Sequence, residues 1–344
     1  MGKNILKNEL SKCIQETLVR SPIIFCEIGA RHGGNRFHEI GEFVHYYGFE
    51  PDRKEAEALK KKLTDGKLFN TVRIFPQAIM GKAGRAAINI LRHPGCSSVL
   101  FPNEGIISQY AIRHKPDGEI TTEWPKSFEL AGRYECDAIS LDEFAVKEKL
   151  TSIDFIGIDT QGTEYEILAG GKNIITQSTL FINVEIASMP LYKGQSLLTD
   201  VMRLLLDFGF RLISLENPQY VSRPPAWADD AIDRGELVSI DGIFCRDIDE
   251  QFFRKSDPAT IVKFMLILHY LGFKTFAIDV GRRSTAYDGS NSCIPELTAA
   301  LEKQYLIDNY NAKPLRGKVR EKIKNLYRQL RSYPGPQTRT LRIW

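Results

Sequence analysis

A glycine-spaced turn follows an acid near the start of the chain, in the order Glu27, Gly29, Gly33. The residues before it, 23–28, are almost all apolar, as in a central parallel strand that is covered on both faces. The glycines let the backbone turn sharply and approach a ligand closely. Arg31 stands where the dinucleotide fingerprint G-x-G-x-x-G needs its second glycine, so this spacing argues against a nicotinamide cofactor.

Acidic residues also end three further apolar runs. Glu50 lies 21 residues after Gly29, where an acid is placed to accept hydrogen bonds from ribose hydroxyls. The alternative is a surface acid at the start of the next helix, for which Asp52 is the predicted N-cap. Asp159 and Glu185 end the other two runs, and we expect both at the carboxyl edge of the sheet, where open α/β sheets bind ligands.

The predicted helices and strands that position these acids alternate along the chain. A helix is predicted over residues 4–20, a first crossover helix over 35–44, and a helix with an apolar stripe over 196–208. Strands are predicted at 23–28, 45–49, 72–80, 86–91, 135–141, 153–159, 180–186, 210–215 and 242–245. This order predicts an α/β fold with a mainly parallel sheet. Residues 102–133 are irregular, which is typical of a lid or a mobile loop.

The composition is that of one large globular core with additional chain. Hydrophobic residues make up 43% of the chain and charged residues 26%. No apolar run approaches the roughly 20 residues that a membrane span needs, and the N-terminus lacks the apolar core of a secretion signal. We therefore expect a cytoplasmic protein without a transmembrane segment. Six scattered cysteines show no metal-ligand spacing, which predicts free thiols and no zinc site.

The net charge of +3 is unevenly distributed. Residues 313–344 carry ten Lys or Arg against one acid, so the first 312 residues carry a net charge of −6. An acidic body argues against binding along a nucleic-acid backbone. Apolar residues spaced by three or four between Leu315 and Leu330 predict a basic amphipathic helix. Its alternative uses are packing on the domain or in a homo-oligomer, contact with an anionic membrane surface, and recruitment of an anionic substrate.

Several blocks between about residues 23 and 246 together resemble the FkbM family of S-adenosylmethionine (SAM) methyltransferases. The blocks are Glu27-Ile-Gly-Ala-Arg-His-Gly33, Gly48-Phe-Glu-Pro-Asp52, Gln77-Ala-Ile-Met80, Gly95-Cys-Ser-Ser98, Ile139-Ser-Leu-Asp142, the long stretch 153–171 around Asp159-Thr-Gln-Gly-Thr-Glu164, Asn183-Val-Glu185 and Pro190-Leu-Tyr192. Three positions depart from the family pattern. Glu27 stands where the family often has Asp, Gly157 where it often has Lys, and Gln161 where it often has Glu.

The resemblance implies a Rossmann-like methyltransferase sheet of seven strands with helices on both faces. It also implies methyl transfer from SAM to a hydroxyl, commonly on a sugar or a polyketide-type product. We accordingly divide the chain into an N-terminal capping helix (1–22), a methyltransferase domain (23–246), and a C-terminal extension (247–344). The extension is predicted to be mostly helical, because residues 259–271 are apolar enough for a packed helix, and its end is basic. Residues 273–280 are predicted to be a strand or a buried connection.

The resemblance also assigns roles to residues. The predicted cofactor-binding set is Glu27, Gly29, Ala30, Arg31, Gly33, Glu50, Pro51, Asp52, Gln77, Ala78 and Asp159. Asp159, or in second place Glu185, is predicted to remove the hydroxyl proton. The alternative for Asp159 is to orient the cofactor or cap the next helix. The predicted substrate set is Ser98, His114, Gln161, Glu164 and Tyr192, and no protein-bound metal is predicted.

The sequence therefore predicts a SAM-dependent O-methyltransferase acting on a sugar hydroxyl in a nucleotide sugar, a glycan or a polysaccharide precursor. One alternative is a non-catalytic relative that binds a glycan or a partner protein, and another is an NAD-dependent oxidoreductase. Asn217-Pro-Gln-Tyr220 resembles the Asn-Pro-Pro-Tyr signature of nucleic-acid amino methyltransferases. That signature belongs after the fourth strand of the methyltransferase sheet, where this chain has 159–162, so residues 217–220 are predicted to be loop.

Overall fold

A computed structural model describes residues 10–114, 120–223, 235–287 and 292–311. The side chains of 114, 120–122, 310 and 311 lie outside this description. The basic helix predicted between Leu315 and Leu330 falls outside the described residues, as does the start of the helix predicted over 4–20. Among the described helices, none is both long enough and apolar enough to cross a membrane.

Nine strands form the main sheet. They are β1 (Ile23–Ile28), β2 (Val44–Phe49), β3 (Thr71–Phe75), β6 (Ile112–His114), β7 (Ile120–Thr122), β9 (Phe155–Ile158), β10 (Phe181–Ala187), β11 (Phe210–Ser222) and β12 (Glu236–Arg246). Their order is β3-β2-β1-β9-β10-β12-β11-β6-β7. The strands from β3 to β10 are parallel, and β12 runs antiparallel between β10 and β11. The predicted seven-stranded sheet is confirmed, and the β6–β7 hairpin extends it at one edge.

Helices cover both faces of this sheet. One face carries α1 (Lys12–Arg20), α2 (Arg53–Asp65), α8 (Glu250–Lys255), α9 (Pro258–Tyr270), α10 (Lys274–Ser284) and α11 (Ile294–Asn311). The other face carries α4 (Leu141–Lys147), α5 (Glu164–Gly170), α6 (Lys172–Ser178) and α7 (Leu198–Asp207). Central strands covered on both faces require apolar side chains in both directions. In β9, Phe155 accordingly joins the first core and Ile156 the second.

The helices after β12 belong to the first core. Helix α9 is apolar on all sides and buries nine successive residues, 261–269, as expected for a helix surrounded by protein. Its Lys263 lies 3.1 Å from Asp154, which also accepts the Ile24 N–H at 2.7 Å. This buried ion pair ties α9 to β1 and to the chain leading into β9. The strand considered for 273–280 is wrong, because Ala277 and Val280 lie on the buried side of helix α10.

A second, three-stranded sheet packs beside the first. It contains β4 (Ala78–Ile79), β5 (Gly84–Leu91) and β8 (Leu130–Ile139) in the order β4-β8-β5. The region predicted to be irregular, 102–133, contains α3 (Glu104–Ile107), strands β6 and β7, and a 3-10 helix, Trp124–Phe128. Trp124 and Phe128 are buried against Tyr192 and Val238. Part of this region is therefore a packed wall, since burial of these aromatic side chains fixes it to the sheet.

Two local predictions need correction. The first crossover contains a 3-10 helix, His38–Phe43, in place of the predicted α-helix, and Gly41 packs so closely on Leu68 that a Cβ would lie 1.7 Å from the Leu68 carbonyl oxygen. Residues 217–220 are not loop, because β11 continues to Ser222 through irregular register. Asn217 is held there with φ +51° and donates to Asp241 at 2.8 Å. All six cysteines are free thiols in the structure.

Candidate active site

A cleft of about 690 Å³ opens at the carboxyl ends of β1, β2 and β9. Ten of the eleven predicted cofactor-binding residues line it, and these are Glu27, Gly29, Arg31, Gly33, Glu50, Pro51, Asp52, Gln77, Ala78 and Asp159. The exception is Ala30, which is 1% exposed and lies behind the cleft wall. Its N–H donates to the Phe49 carbonyl at 2.9 Å, so this residue fastens the turn to β2 and does not face a ligand.

Residues 29–34, the glycine loop, pack against the ends of both neighbouring strands. The Gly29 N–H also donates to the Phe49 carbonyl, at 3.1 Å. Gly29 has φ +79°, and a Cβ there would lie 1.8 Å from the Asp159 carbonyl oxygen. Only glycine combines this backbone angle with such a close approach. The loop is therefore fixed by contact with β2 on one side and with the end of β9 on the other.

Glu27 shapes the glycine loop from inside. One of its oxygens accepts the Gly34 N–H at 2.7 Å and the Tyr46 hydroxyl at 2.5 Å. The same oxygen would lie 2.5 Å from a Cβ at Gly33. Burial raises the pKa of the Glu27 carboxyl, and the two hydrogen bonds oppose that shift. Glu27 thus holds the turn and contributes to the cleft wall.

Glu50 is a buried acid, 5% exposed, at the end of β2. One oxygen accepts the Asp52 N–H at 2.8 Å, and the other lies 3.9 Å from Arg31. Burial raises the pKa of the Glu50 carboxyl. The prediction that Asp52 caps the next helix is confirmed, because its side chain accepts the N–H groups of Lys54 and Glu55. The surface-acid alternative for Glu50 is wrong, because the side chain is enclosed in the cleft wall.

Arg31 connects the glycine loop to the acids that follow β2. Besides Glu50, its guanidinium lies 3.8 Å from Asp52 and 3.5 Å from Glu55. Arg31 thus places a side chain, directed towards these acids, at the position where a dinucleotide fingerprint has its second glycine. This arrangement is the structural reason to disfavour a nicotinamide dinucleotide.

Other cleft residues were not predicted from the sequence. Tyr134 enters the cleft from β8, Asn183 from β10 and Asp241 from β12. Tyr134 and Asp241 belong to no sequence block that we identified, and the sheet topology brings them to this edge, whereas Asn183 lies in the block 183–185 without a predicted role there. Two buried polar atoms in the cleft residues, Gln77 Nε2 and Asn183 Oδ1, lack a hydrogen-bond partner within the described part of the chain. Such atoms are stabilised when a ligand completes their hydrogen bonds.

The two predicted proton acceptors share a hydrogen-bond donor, with Asp159 in the cleft and Glu185 in the adjoining cavity. Asp159 Oδ1 and Glu185 Oε2 both accept from Gln161 Nε2, each at 2.7 Å. The other oxygen of Glu185 accepts from Ser239 at 3.0 Å. Burial and then the charge of Asp159 hold the pKa of Glu185 well above its ordinary value. Asp159 is exposed to the cleft. Desolvation by the surrounding protein raises its pKa, and the hydrogen bond from Gln161 opposes that shift.

Residues 159–164, the Gln161 loop, are held by three residues that were predicted to contact substrate. Ser98 donates to the Gln161 carbonyl at 2.7 Å. The Tyr192 hydroxyl donates to the Cys96 carbonyl at 2.6 Å and to Gln161 Oε1 at 3.2 Å. Glu164 accepts the N–H groups of Thr160 and Gly162.

These hydrogen bonds give the three residues a structural role, and their predicted contact with substrate stays a prediction. Ser98, Glu164 and Tyr192 are all buried and use their polar atoms on the Gln161 loop. They position Gln161, which has the left-handed φ of +59° that is rare for a residue with a side chain. Gln161 itself faces the cleft, as predicted. The His114 side chain lies outside the described residues.

Comparisons with known proteins agree with this geometry. The family model for the methyltransferase FkbM domain matches residues 27–212. The 2-O-methyltransferase NoeI of Sinorhizobium fredii (strain NBRC 101917 / NGR234) is 29% identical over 196 residues, which cover 54% of this chain and 72% of that protein.

Solved methyltransferase structures are more distant. The FkbM methyltransferase of Methylobacillus flagellatus KT is 12% identical, with a TM-score of 0.35 and coverage of 68% of this chain and 49% of that one. This chain thus spans about half the length of that protein. The magnesium protoporphyrin IX methyltransferase ChlM of Synechocystis PCC 6803, with bound SAM, is also 12% identical, with a TM-score of 0.30 and coverage of 72% and 86%.

The sheet order and the ligand edge are those of a Rossmann-like α/β protein of the methyltransferase class. The family match covers more than half of the chain. The chain belongs to the FkbM methyltransferase family.

Proposed function

We propose that this protein is a SAM-dependent O-methyltransferase whose Asp159–Glu185 pair takes the acceptor proton. The observation that supports this best is the position of the pair. Asp159 lines a cleft whose other walls are the glycine loop and the buried Glu50, and Glu185 lies beside Asp159 in the adjoining cavity. A cofactor site and a pair of proton acceptors thus share one edge of the sheet.

The cleft residues fit the chemistry of SAM. The Glu50 carboxylate is placed to accept from ribose hydroxyls, as acids after the second strand do in related nucleotide sites. The space beside Gly29 is closed to any side chain, so backbone forms the floor there. Gln77 offers a ring acceptor a buried amide N–H that has no partner among the residues that the structure describes. We assign Glu50 to the ribose, the glycine loop to the methionine portion, and the Gln77–Ala78 segment to the adenine.

Held by the glycine loop and Glu50, SAM would supply the methyl group for the acceptor oxygen and would leave as S-adenosylhomocysteine, and the Asp159–Glu185 pair would take the hydroxyl proton. The protein has to orient the acceptor, exclude water and accept that proton. Once both carboxylates are ionised, each raises the proton affinity of the other. Gln161 holds them in place because its amide donates to both, which a glutamate at that position could not do.

The acceptor that we propose is a sugar hydroxyl in a nucleotide sugar, a glycan or a polysaccharide precursor. The NoeI protein is named as a 2-O-methyltransferase, and a hydroxyl acceptor agrees with a carboxylate base. The alternatives, a non-catalytic relative and an NAD-dependent oxidoreductase, both remain testable through the cofactor.

The cofactor assignment is tested by calorimetric titration with S-adenosylhomocysteine. We expect Glu50→Ala to weaken binding about tenfold or more, equivalent to about 1.4 kcal/mol. Glu55→Ala is the matched control, because Glu55 contacts the same Arg31 but does not line the cleft. NAD serves as the control ligand. Absence of S-adenosylhomocysteine binding, or binding of NAD in its place, would overturn the proposal.

A further inference from the structure

A second cavity, of about 200 Å³, lies beside the cofactor cleft. Asp159 and Gln161 line both spaces, whereas Glu185 lines only the second cavity. The packed wall contributes Arg113, Trp124 and Phe128, and the opposite side comes from the ends of β10, β11 and β12. Pockets for drug-sized ligands occupy about 300–1,000 Å³, so this cavity admits one small ring.

Two hydrogen-bond donors in the cavity wall are unsatisfied. Trp124 is 2% exposed, and its indole N–H has no partner in the part of the chain that the structure describes. The same holds for Nε of Arg113 within those residue ranges. A buried N–H without an acceptor costs about 1–3 kcal/mol, so a ligand oxygen that pairs with it stabilises the complex.

The remaining wall selects among ligand types. The carboxylates of Asp159, Glu164 and Glu185 line the cavity and disfavour an anionic group. An apolar ring would leave both N–H donors unpaired. A ring with several hydroxyls meets both demands, because each hydroxyl accepts from an N–H and donates to a carboxylate. Trp124 and Phe128 add aromatic surface for an apolar ring face.

The geometry points to this cavity as the acceptor subsite, occupied by a single neutral sugar ring, with Trp124 and Arg113 donating to its oxygens. This inference rests on the proposed function, because it places the reacting hydroxyl beside Asp159 and Glu185. It adds two specificity-determining residues, and neither belongs to the blocks that resemble the methyltransferase family. The rest of the acceptor would extend outside the cavity.

The test is saturation-transfer NMR on the full chain with S-adenosylhomocysteine present. The probes are the neutral methyl α-pyranosides of glucose, galactose, mannose and rhamnose, together with methyl glucuronopyranoside as an anionic probe. We expect at least one neutral glycoside to bind and the glucuronide to bind more weakly. Trp124→Phe, which keeps the ring but removes the N–H, and Arg113→Gln should each weaken glycoside binding about tenfold, equivalent to about 1.4 kcal/mol.

The matched control is Arg92→Gln, because Arg92 is an exposed arginine paired with Glu129 outside both cavities. Unchanged S-adenosylhomocysteine affinity shows that each variant is folded, since the cofactor cleft lies apart from Trp124 and Arg113. The subsite is refuted if no neutral glycoside binds, if the glucuronide is preferred, or if both variants bind glycosides like the wild type. If the wild-type protein does not bind S-adenosylhomocysteine, the proposed function is refuted. Titration with the glycosides in the absence of S-adenosylhomocysteine then tests the subsite separately.

Discussion

The glycine loop and the Gln161 loop follow neighbouring strands of the same sheet, yet they are built differently. The glycine loop obtains its shape from backbone freedom, with Gly29 at φ +79° and Gly34 at φ +75°. The Gln161 loop has a comparable angle at a residue with a side chain, and buried groups from elsewhere in the chain hold it there. The glycine loop thus depends on residues without side chains, whereas Gln161 depends on hydrogen bonds from buried residues elsewhere in the chain.

The difference also explains why the loops meet so closely. A Cβ at Gly29 would overlap the carbonyl oxygen of Asp159, the first residue of the Gln161 loop. The glycine loop therefore sets the floor beneath the carboxylate pair. A change in the first loop should disturb both sites, while a change in the supports of the second should leave cofactor binding intact.

The largest effect is expected for Gly29→Ala, which combines a left-handed backbone with a steric clash. We expect a loss of about 3 kcal/mol or more in the free energy of unfolding and no measurable S-adenosylhomocysteine binding. The matched control is Gly194→Ala, because Gly194 has φ +80° and open space within 4 Å of a built Cβ. The control should lose only about 1–2 kcal/mol. Urea unfolding and calorimetry measure both quantities, and equal losses would contradict the clash argument.

Residues close to a strand end could be predicted from the sequence, whereas residues that distant strands bring to the cleft could not. Glu27, Gly29 and Glu50 could be found because each stands at a fixed distance from a strand end. The sheet of seven strands was implied by the family resemblance and not by periodicity. Tyr134 and Asp241 could not be found, because strands distant in the sequence bring them to the cleft.

The support of the Gln161 loop was only partly predictable. Ser98 lines the cleft and Tyr192 the second cavity, but their sequence blocks do not say which way the side chains point. Packing turns both inward, where their hydroxyls reach Gln161. The region 102–133 lacks periodicity because its aromatic residues are buried in a small separate core and not on a regular helix or strand.

The next largest effect is expected at the carboxylate pair. Glu185→Gln should lower the methylation rate by about 10²–10⁴-fold, the usual contribution of a general base, while S-adenosylhomocysteine affinity stays unchanged. In the wild type, the acid limb of the pH–rate profile should lie above the ordinary glutamate pKa of 4.5, because burial and Asp159 raise the pKa of Glu185. Stopped assays across the pH range measure both.

Stability should change in the opposite direction to activity. A carboxyl with a raised pKa in the folded state adds stability below its unfolded pKa and loses that contribution as the pH rises through the folded pKa. Glu185→Gln should therefore melt at a higher temperature than the wild type at pH 8, and this gain should vanish below about pH 4.5. The surface variant Glu250→Gln, at an exposed ion pair with Arg254, should change neither property. A destabilised Glu185→Gln at pH 8 would show that the pair is structural.

The smallest effect is expected where one support of the Gln161 loop is removed. Tyr192→Phe leaves the Cys96 carbonyl and Gln161 Oε1 without this hydroxyl, and we expect a loss of about 1–3 kcal/mol in the free energy of unfolding. The methylation rate should fall about tenfold, because Gln161 no longer holds both carboxylates in place, whereas S-adenosylhomocysteine affinity should stay within about twofold.

Tyr110→Phe is the control for that variant, since Tyr110 belongs to the same small core but its hydroxyl bonds Glu236, away from Gln161. It should leave the methylation rate unchanged. If Tyr192→Phe weakened cofactor binding as strongly as it slowed methylation, the two loops would act as one unit. A selective loss of rate would instead show that the glycine loop binds independently of the supports that hold Gln161 against Asp159 and Glu185.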